Sequence, residues 1–223
     1  MTHNTFLLRK TADGSDTLFS PEMEESYHSL NGAVQESRHV FIEAGLRQIQ
    51  KEKINIFEVG FGTGLNALLT WGEAHQKMLQ VSYDAIEAFP LSKSIIETLN
   101  YKKIEPNLTS EAFLKLHETP WNKSFILETN RFILQKIQND FTNFNFTKKY
   151  DLVYFDAFSP DKQPEMWNEC LFRKIFQSLH CQGLLVTYCA KGEVRRCMQR
   201  SGFQVERLSG PPGKREMLRA TKI

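Results

Sequence analysis

The sequence has little of what marks membrane, secreted or disordered proteins. It contains no run of about 18 apolar residues, and residues 1–5 form neither a basic nor an apolar leader. Its four cysteines include no Cys-x-x-Cys pair, and Lys and Arg outnumber Asp and Glu only 28 to 26. We therefore expect a cytoplasmic protein with reduced, buried thiols, no membrane partner and no polyanion wrapped around the whole molecule.

Nothing divides the chain into separate domains, because repeats, low-complexity tracts and Pro/Gly/Ser-rich linkers are absent. The 223 residues are 41% hydrophobic and 12% aromatic, which provides apolar surface to offset the entropy of folding. We predict a core domain over residues 51–223, with an extension over residues 1–50 packed on it. Two short apolar runs around Asp13-Gly14 predict a β-hairpin in the extension, and apolar residues at helical spacing predict a helix over residues 35–49.

Strand-like and helical segments alternate through the rest of the chain, which predicts an α/β fold. We expect strands at residues 54–59, 81–86, 131–137, 152–155 and 184–188, helices at residues 65–77, 91–100, 165–179 and 193–201, and a helix and then a loop within residues 105–128. Strands joined by helical crossovers form a mainly parallel sheet. The last two strands, 203–208 and 216–221, are joined by a short loop, so the final strand should be antiparallel. This arrangement resembles the Rossmann-like fold of class I S-adenosylmethionine-dependent methyltransferases.

A glycine-rich loop follows the first core strand. The strand leads directly into Gly-Phe-Gly-Thr-Gly at residues 60–64, and a helix begins at Leu65-Asn66. Glycines let a ligand approach the backbone, and the free N–H groups at a helix start bind its polar groups. A dinucleotide-binding fingerprint would need Gly or Ala where Leu65 stands. This difference disfavours an NAD-linked oxidoreductase.

The loop instead matches the E/D-x-G-x-G-x-G pattern of S-adenosylmethionine-binding enzymes, with Glu58 as its acid. Two further acids follow strands at the same edge of the predicted sheet. Glu87 could accept hydrogen bonds from both ribose hydroxyls, and Asp140 could accept one from the adenine amino group. Any one of these acids alone could equally be a solvated strand end. Together they predict a site for S-adenosylmethionine formed by Glu58, Gly60, Gly62, Gly64, Asn66, Glu87, Asp140 and Asp156.

Asp156 follows the fourth parallel strand, where it would face the transferable methyl group and act as the catalytic residue. A carboxylate there suits an amine acceptor, because it can attract and orient the amine and accept its proton. Phe158 and Pro160 could exclude water beside it. Alternatively, Asp156 caps the turn before the next helix. The histidines show no metal-ligand spacing, so we expect no metal.

Four motifs stand in the same order as in one known family. They are residues 31–41 (NGAVQESRHVF), 60–66 (GFGTGLN), 156–167 (DAFSPDKQPEMW) and 214–218 (KREML). Over nearly its whole length the chain resembles the methyltransferase domain of the bacterial tRNA 5-methylaminomethyl-2-thiouridine biosynthesis (MnmC) family. The resemblance implies methyl transfer from S-adenosylmethionine to the amine of 5-aminomethyl-2-thiouridine at the tRNA wobble position, with S-adenosylhomocysteine as the other product.

Many members of that family continue into a flavin-dependent oxidase domain, whereas this sequence ends at Ile223 without a flavin-binding fingerprint. We therefore expect a stand-alone methyltransferase that needs no flavin. A separate upstream enzyme or pathway would then supply the aminomethyl uridine.

The cations are concentrated near the C-terminal end of the chain. From Cys189 onward nine Lys and Arg residues oppose three Glu residues, a net charge of +6, which leaves −4 for the rest. The segment could hold tRNA phosphates, through Arg195, Arg196, Lys214 and Arg215 in particular. The alternative is an ordinary soluble helix face with scattered cations.

The sequence is also compatible with other functions. An aminopropyltransferase or a small-amine methyltransferase would share the glycine loop and the acid after the fourth strand, and a non-catalytic cofactor-binding RNA adaptor would bind tRNA without transferring a methyl group. The Glu36-Ser37-Arg38 cluster could contact the cofactor or tRNA, or form a plain polar helix face. The three tryptophans favour core packing over stacking on bases.

Overall fold

The N-terminal extension begins with a small antiparallel sheet. The computed structural model describes residues 6–223; residues 1–5, which carry the expected lack of a leader and the start of the extension, lie outside the described residues. The sheet consists of β1 (Leu7–Lys10), β2 (Asp16–Ser20) and β3 (Glu25–Ser26), in that order. The predicted hairpin is formed by β1 and β2, and its loop holds Gly14 at a φ of 82°. The sequence does not predict β3, because only two residues form it.

The helix predicted after the hairpin is interrupted. It starts as α1 (Ala33–Ser37), widens into a π-helix at Arg38–Glu43, and is followed by a 3₁₀ turn at Leu46–Gln48. The π-helix buries three consecutive apolar residues, which would point to different sides of a regular α-helix. Gly45 separates the two helical pieces, where a Cβ would lie 2.5 Å from the carbonyl oxygen of Phe41. A single helix over residues 35–49 is therefore wrong.

The core is an eight-stranded sheet. Its strands are β4 (Lys53–Val59), β5 (Gln80–Glu87), β6 (Ser124–Glu128), β7 (Phe132–Gln138), β8 (Tyr150–Phe155), β9 (Leu179–Thr187), β10 (Gln204–Ser209) and β11 (Glu216–Thr221). They stand in the order β10-β11-β9-β8-β4-β5-β7-β6. The five central strands are parallel, whereas β11 is antiparallel to β9 and β10 is antiparallel to β11. The antiparallel final strand is confirmed.

The chain order reverses between β4 and β8. From β4 the chain moves outward to β5 and β7, and it then returns to β8 and β9 on the other side. In open α/β sheets the crevice at such a reversal, beside the carboxyl ends of the strands, is where ligands bind. The topology therefore places the glycine loop after β4 next to the residue that follows β8.

Five helices cover the sheet or follow its strands: α2 (Leu65–Lys77), α3 (Lys93–Ile96), α4 (Ala112–Glu118), α5 (Glu169–Ser178) and α6 (Gly192–Arg200). Two of them, α3 and α5, differ from the predicted helices. The helix predicted over residues 91–100 is reduced to α3, because the Asn100 side chain bonds Asp16 N–H and the Gly14 carbonyl and so docks the chain on the N-terminal sheet. α5 begins late, where the Asn168 side chain caps it by accepting from Leu171 N–H.

The sheet separates two hydrophobic clusters. One packs β4 and β5 against α2, α4 and the N-terminal extension, and the other packs β8 and β9 against α5 and α6. Trp71 lies in the first and Trp167 in the second, both at most 6% exposed, which confirms packing for these two tryptophans. Cys189 and Cys197 are buried, but Cys170 and Cys181 are exposed, so the expectation of four buried thiols is wrong for two. Within residues 6–223, no helix is long and apolar enough to cross a membrane.

Candidate active site

The glycine loop has the backbone that its sequence suggests. Gly60, Gly62 and Gly64 have φ of 88°, 48° and 74°, values that residues with a Cβ rarely adopt. A Cβ on Gly60 would lie 2.5 Å from the carbonyl oxygen of Asp156. The loop therefore passes so close to the end of β8 that any side chain at position 60 would clash. Gly64 is the N-cap of α2 in the left-handed conformation. The loop thus brings bare backbone to the edge of the sheet.

Glu87, at the end of β5, holds the loop in place. Its Oε2 accepts from Gly62 N–H at 3.0 Å, and its Oε1 accepts from Phe89 N–H at 2.9 Å. Each carboxylate oxygen can accept more than one hydrogen bond. Glu87 can therefore anchor the loop and still accept from a ligand hydroxyl.

Asp140, after β7, is occupied by its own turn. Its Oδ1 accepts from Thr142 N–H at 2.8 Å and from the Thr142 hydroxyl at 2.7 Å, and its Oδ2 accepts from Asn143 Nδ2 at 3.2 Å. These bonds cap the 3₁₀ turn at Phe141–Asn143. The position of Asp140 beside the cavity agrees with an adenine contact, which stays a prediction.

A cavity of about 1020 Å³ lies between the glycine loop, the ends of β5, β7 and β8, and the N-terminal sheet. The predicted site residues that line it are Gly60, Gly62, Asn66, Glu87, Asp140, Asp156, Phe158 and Lys214. Glu58, Gly64, Pro160, Arg195, Arg196 and Arg215 lie outside its lining. The volume is enough for a nucleoside cofactor together with part of a second substrate.

Asp156 faces this cavity and is bound from behind. Asn66 Nδ2 donates to Asp156 Oδ2 at 2.8 Å and to Glu58 Oε1 at 3.0 Å. Burial raises the pKa of Asp156 to about 7; the Asn66 hydrogen bond opposes that rise, the Glu36 charge adds to it, and the Lys214 charge opposes it. A carboxyl group that titrates near neutral pH is suited to accept a proton during a reaction.

Glu58 does not reach the cavity. It is fully buried behind the glycine loop, and burial raises its pKa well above the usual value. It can act on a bound ligand only through Asn66. Its assignment as a cofactor-binding residue stays a prediction that the geometry does not favour.

Beyond Asp156 the cavity runs between the N-terminal extension and the C-terminal hairpin. Lys214 donates to Glu36 Oε1 at 2.6 Å and lies 3.9 Å above the Tyr188 ring. Burial, and then the charges of Asp156 and Glu25, raise the pKa of the Tyr188 hydroxyl. This end of the cavity is therefore acidic and aromatic, with one cation already paired.

Several cavity residues were not found by sequence reasoning. Phe89, which is 75% exposed, lines the cavity beside Glu87. Its position two residues after Glu87 is a signal in the sequence that could have identified it. Tyr27 packs edge-on against Phe158 with 5.1 Å between ring centroids, and Glu25 accepts from the Ser159 hydroxyl at 2.8 Å. Nothing in the sequence connects the extension to β8 in this way.

Acids pair with five of the nine cations in the basic C-terminal segment. Ion pairs join Lys191 to Asp161, Arg200 to Glu169, Arg207 to Glu216, Lys214 to Glu36 and Arg219 to Glu206. Among residues 6–223, no carboxylate lies within ion-pair distance of Arg195, Arg196 or Arg215. Of the predicted RNA contacts, Lys214 therefore belongs to the cavity, whereas these three arginines lie outside it.

A metal site finds no support in the part of the chain that the structure describes. No group of three His, Cys, Asp or Glu side chains there is placed to hold a metal ion. The expectation that the protein needs no metal stays a prediction.

The chain is similar in sequence to known proteins. Residues 117–223 match the model of a family described as S-adenosyl-L-methionine-dependent methyltransferase. The chain is 32% identical over 217 residues to the tRNA 5-methylaminomethyl-2-thiouridine biosynthesis bifunctional protein MnmC of Idiomarina loihiensis, which covers 89% of this chain and 36% of that protein. The chain spans about a third of the length of the curated relatives it matches.

Solved structures share the fold. MNMC2 from Aquifex aeolicus superposes with a TM-score of 0.79 at 25% identity, covering 99% of this chain and 72% of that one. Spermidine synthase from Thermotoga maritima superposes with a TM-score of 0.58 at 10% identity, covering 99% of this chain and 80% of that one, which is a likeness of fold alone. The predicted fold class and the resemblance to the MnmC methyltransferase domain are confirmed.

Proposed function

We propose that the chain is an S-adenosylmethionine-dependent methyltransferase, which its similarity to the methyltransferase portion of the MnmC proteins supports. Its proposed acceptor is the amine of 5-aminomethyl-2-thiouridine at the tRNA wobble position. The proposal is carried by the position of Asp156 in the cavity. Its carboxyl group lies at the end of β8, beside the glycine loop, in a cavity that continues past it. That is where a carboxylate can meet both an amine and a methyl donor.

The residues around the loop fit the cofactor. Gly60 and Gly62 give a bare backbone cradle, Glu87 has acceptor capacity for ribose hydroxyls, and Phe89 and Asp140 line the far side. When bound, S-adenosylmethionine supplies a methyl group on a positively charged sulfur, and its transfer to the amine leaves S-adenosylhomocysteine.

Asp156 prepares the amine for attack. An alkyl ammonium has a pKa of about 10.4, so freeing its lone pair at pH 7 costs about 4–5 kcal/mol. The Asp156 carboxylate attracts the ammonium, fixes its direction and accepts the proton that the nitrogen loses. Tyr27 and Phe158, packed edge to face in the wall of the same cavity, keep water away from the reacting atoms.

We propose that the acceptor nucleotide enters the cavity from solvent. A wobble nucleotide turned out of the anticodon loop brings its amine to the acidic end near Glu36 and Tyr188, with the tRNA backbone outside. Arg195, Arg196 and Arg215 are proposed to hold tRNA phosphates there, because their charges are not used by neighbouring acids.

Labelled methyl transfer tests the proposed function. The protein is incubated with methyl-labelled S-adenosylmethionine and tRNA that carries 5-aminomethyl-2-thiouridine, and the digested nucleosides are analysed by mass spectrometry. We expect the label on the aminomethyl nitrogen, and no transfer to tRNA without that group. Label on free polyamines alone would indicate a small-amine enzyme, and tRNA binding without any transfer would indicate an adaptor; either result overturns the proposal.

A further inference from the structure

We propose that Asn66 is a positioning residue that fixes the direction of the Asp156 carboxyl, and that Glu58 holds Asn66 as a neutral acid, so that neither residue binds the cofactor. The inference rests on the proposed function only in taking Asp156 as the proton acceptor. The hydrogen bonds that carry it join Asn66 to Glu58 and to Asp156.

The Asn66 side chain has no donor left for a ligand. A side-chain amide has two N–H hydrogens, and the Asn66 Nδ2 group directs one to Glu58 and one to Asp156. Its Oδ1 is buried and finds no partner within residues 6–223. Although Asn66 lies at the cavity wall, its two donor hydrogens are committed to the two acids and its Oδ1 is buried rather than exposed to the cavity.

Glu58 has the surroundings of an uncharged carboxyl. It is 0% exposed, and in the described part of the chain no cation pairs with it. Its Oε2 and the neighbouring Tyr83 hydroxyl are both buried without a well-formed hydrogen bond, and the charges of Asp156 and Glu87 add to the rise in its pKa. An ionised carboxylate in such a place would be strongly destabilised, and burial raises its pKa well above the usual range. A neutral Glu58 still accepts through Oε1 and so fixes which way the Asn66 amide points.

The two carboxyl oxygens of Asp156 therefore have different surroundings. Its Oδ2 is tied to Asn66, and no group among residues 6–223 donates to its Oδ1, which leaves that oxygen for the amine. The titratable groups that face Asp156 from other elements are Glu36, Lys214, Glu58, Tyr83 and Tyr188. The Asn66 bond favours the carboxylate form and opposes burial and Glu36.

Removing the amide tests the positioning role. For Asn66→Ala we expect kcat to fall about 10- to 100-fold because the carboxyl loses its direction. The acidic limb of the pH–rate profile should move up by about one to two pH units, because a donor to the charged form is lost. Affinity for S-adenosylhomocysteine, measured by calorimetry, should stay at the wild-type value. A loss of affinity of about tenfold or more with an unmoved pH limb would show that Asn66 binds the cofactor instead.

Two substitutions of Glu58 test its protonation. Glu58→Gln keeps a neutral acceptor for Asn66, whereas Glu58→Leu fills similar space without one, so Gln should restore most of the rate that Leu loses. Equal losses in both variants, with weaker cofactor binding, would overturn the proposal. Thermal unfolding of each variant shows whether the fold survives.

Carbon-13 NMR of the carboxyl groups separates this inference from the proposed function, because it needs no turnover. In the wild type the Glu58 resonance, assigned by its loss in Glu58→Gln, should keep the chemical shift of a protonated acid at pH 7. The Asp156 titration midpoint should move upward in Asn66→Ala. An ionised Glu58 at pH 7, or an unmoved Asp156 midpoint, would refute the inference even if the enzyme methylates tRNA. If the wild type does not methylate the tRNA, the proposed function fails while the NMR result still decides the inference.

Discussion

At the scale of single residues, burial decides what Asp156 can do. An exposed aspartate is ionised at neutral pH and is a weak base, whereas burial raises the pKa of Asp156 to about 7. The carboxylate is the form that accepts a proton, so activity should rise with pH through that value. We expect kcat/KM for tRNA to show an acidic limb near pH 7. It is measured across a pH series with S-adenosylmethionine saturating and the tRNA concentration varied.

Replacement variants assign this limb. Asp156→Asn should lose most of the activity and the limb with it, since an amide cannot accept the proton. Asp161→Asn is the matched control, because Asp161 lies on the same loop but is exposed and pairs with Lys191. A limb that persists in Asp156→Asn would mean that another group titrates.

His28 makes stability depend on pH. Burial lowers its pKa to about 4, while the unfolded chain titrates near the ordinary value of about 6.5. The unfolded state therefore binds more protons between these values, and stability falls as pH falls through 6.5. We expect the contribution of His28 to the free energy of unfolding to drop by about 2 kcal/mol between pH 7.5 and pH 5. His117 and Asp156 also have shifted pKa values, so urea denaturation measures the His28 contribution as the difference between the wild type and a variant without this histidine.

His28→Gln should remove this part of the pH dependence, because glutamine can take hydrogen bonds near Thr17 and Thr63 without titrating. His75→Gln, at an exposed position, controls for the loss of a histidine. Equal pH dependence in His28→Gln and the wild type would place the titrating group elsewhere.

At the scale of elements, the strand–loop–helix unit around Gly60 sets the site. Gly60 and Gly14 both have strongly positive φ, 88° and 82°, but a Cβ on Gly60 meets the Asp156 carbonyl oxygen at 2.5 Å, whereas nothing lies within 4 Å of a Cβ on Gly14. Gly14→Ala should cost about 1–2 kcal/mol of stability from backbone strain alone and leave cofactor affinity intact.

Gly60→Ala should cost more stability than Gly14→Ala and abolish cofactor binding, because the loop must move away from the end of β8. Chemical denaturation and calorimetry with S-adenosylhomocysteine measure the two effects. If both variants bound the cofactor equally well, the close approach at Gly60 would not be needed for the site.

Local patterns predict most of the central sheet, and they fail where distant residues intervene. β4 and β8 are buried almost throughout, so their runs of apolar residues predict them as strands. β6 is missed because three of its five residues are exposed at the sheet edge, which removes the alternation that marks a strand. α3 is shorter than predicted because Asn100 binds residues 84 and 86 positions away.

The site follows the same division. Glu87 and Asp156 end strands and can be found from local sequence, since topology brings strand ends together. The Glu36–Lys214 pair joins side chains 178 positions apart, and no local pattern predicts it. The role of Glu58 also depends on depth behind the loop, which spacing along the chain does not reveal.

At the scale of the whole molecule, the two ends of the chain close around the cavity. The extension supplies Tyr27 and Glu36, and the C-terminal hairpin supplies Lys214. Half of the sequence charge of +6 from Cys189 onward is offset by ion pairs with acids elsewhere in the chain, namely Asp161, Glu169 and Glu36. What remains for an anionic partner is a smaller set of arginines than composition suggests.

That difference gives a charge-matched test of tRNA binding. Replacing Arg195, Arg196 and Arg215 with Ala should weaken tRNA binding and make the slope of log K against log salt shallower by about 2–3 units, since each lost phosphate contact removes nearly one unit. The control replaces Lys191, Arg200 and Arg207, which remove the same charge but pair with acids in the fold. Filter binding over a salt series should show a smaller change of slope for the control. Equal changes in both triple variants would mean that tRNA responds to net charge, and that these three arginines make no direct phosphate contacts.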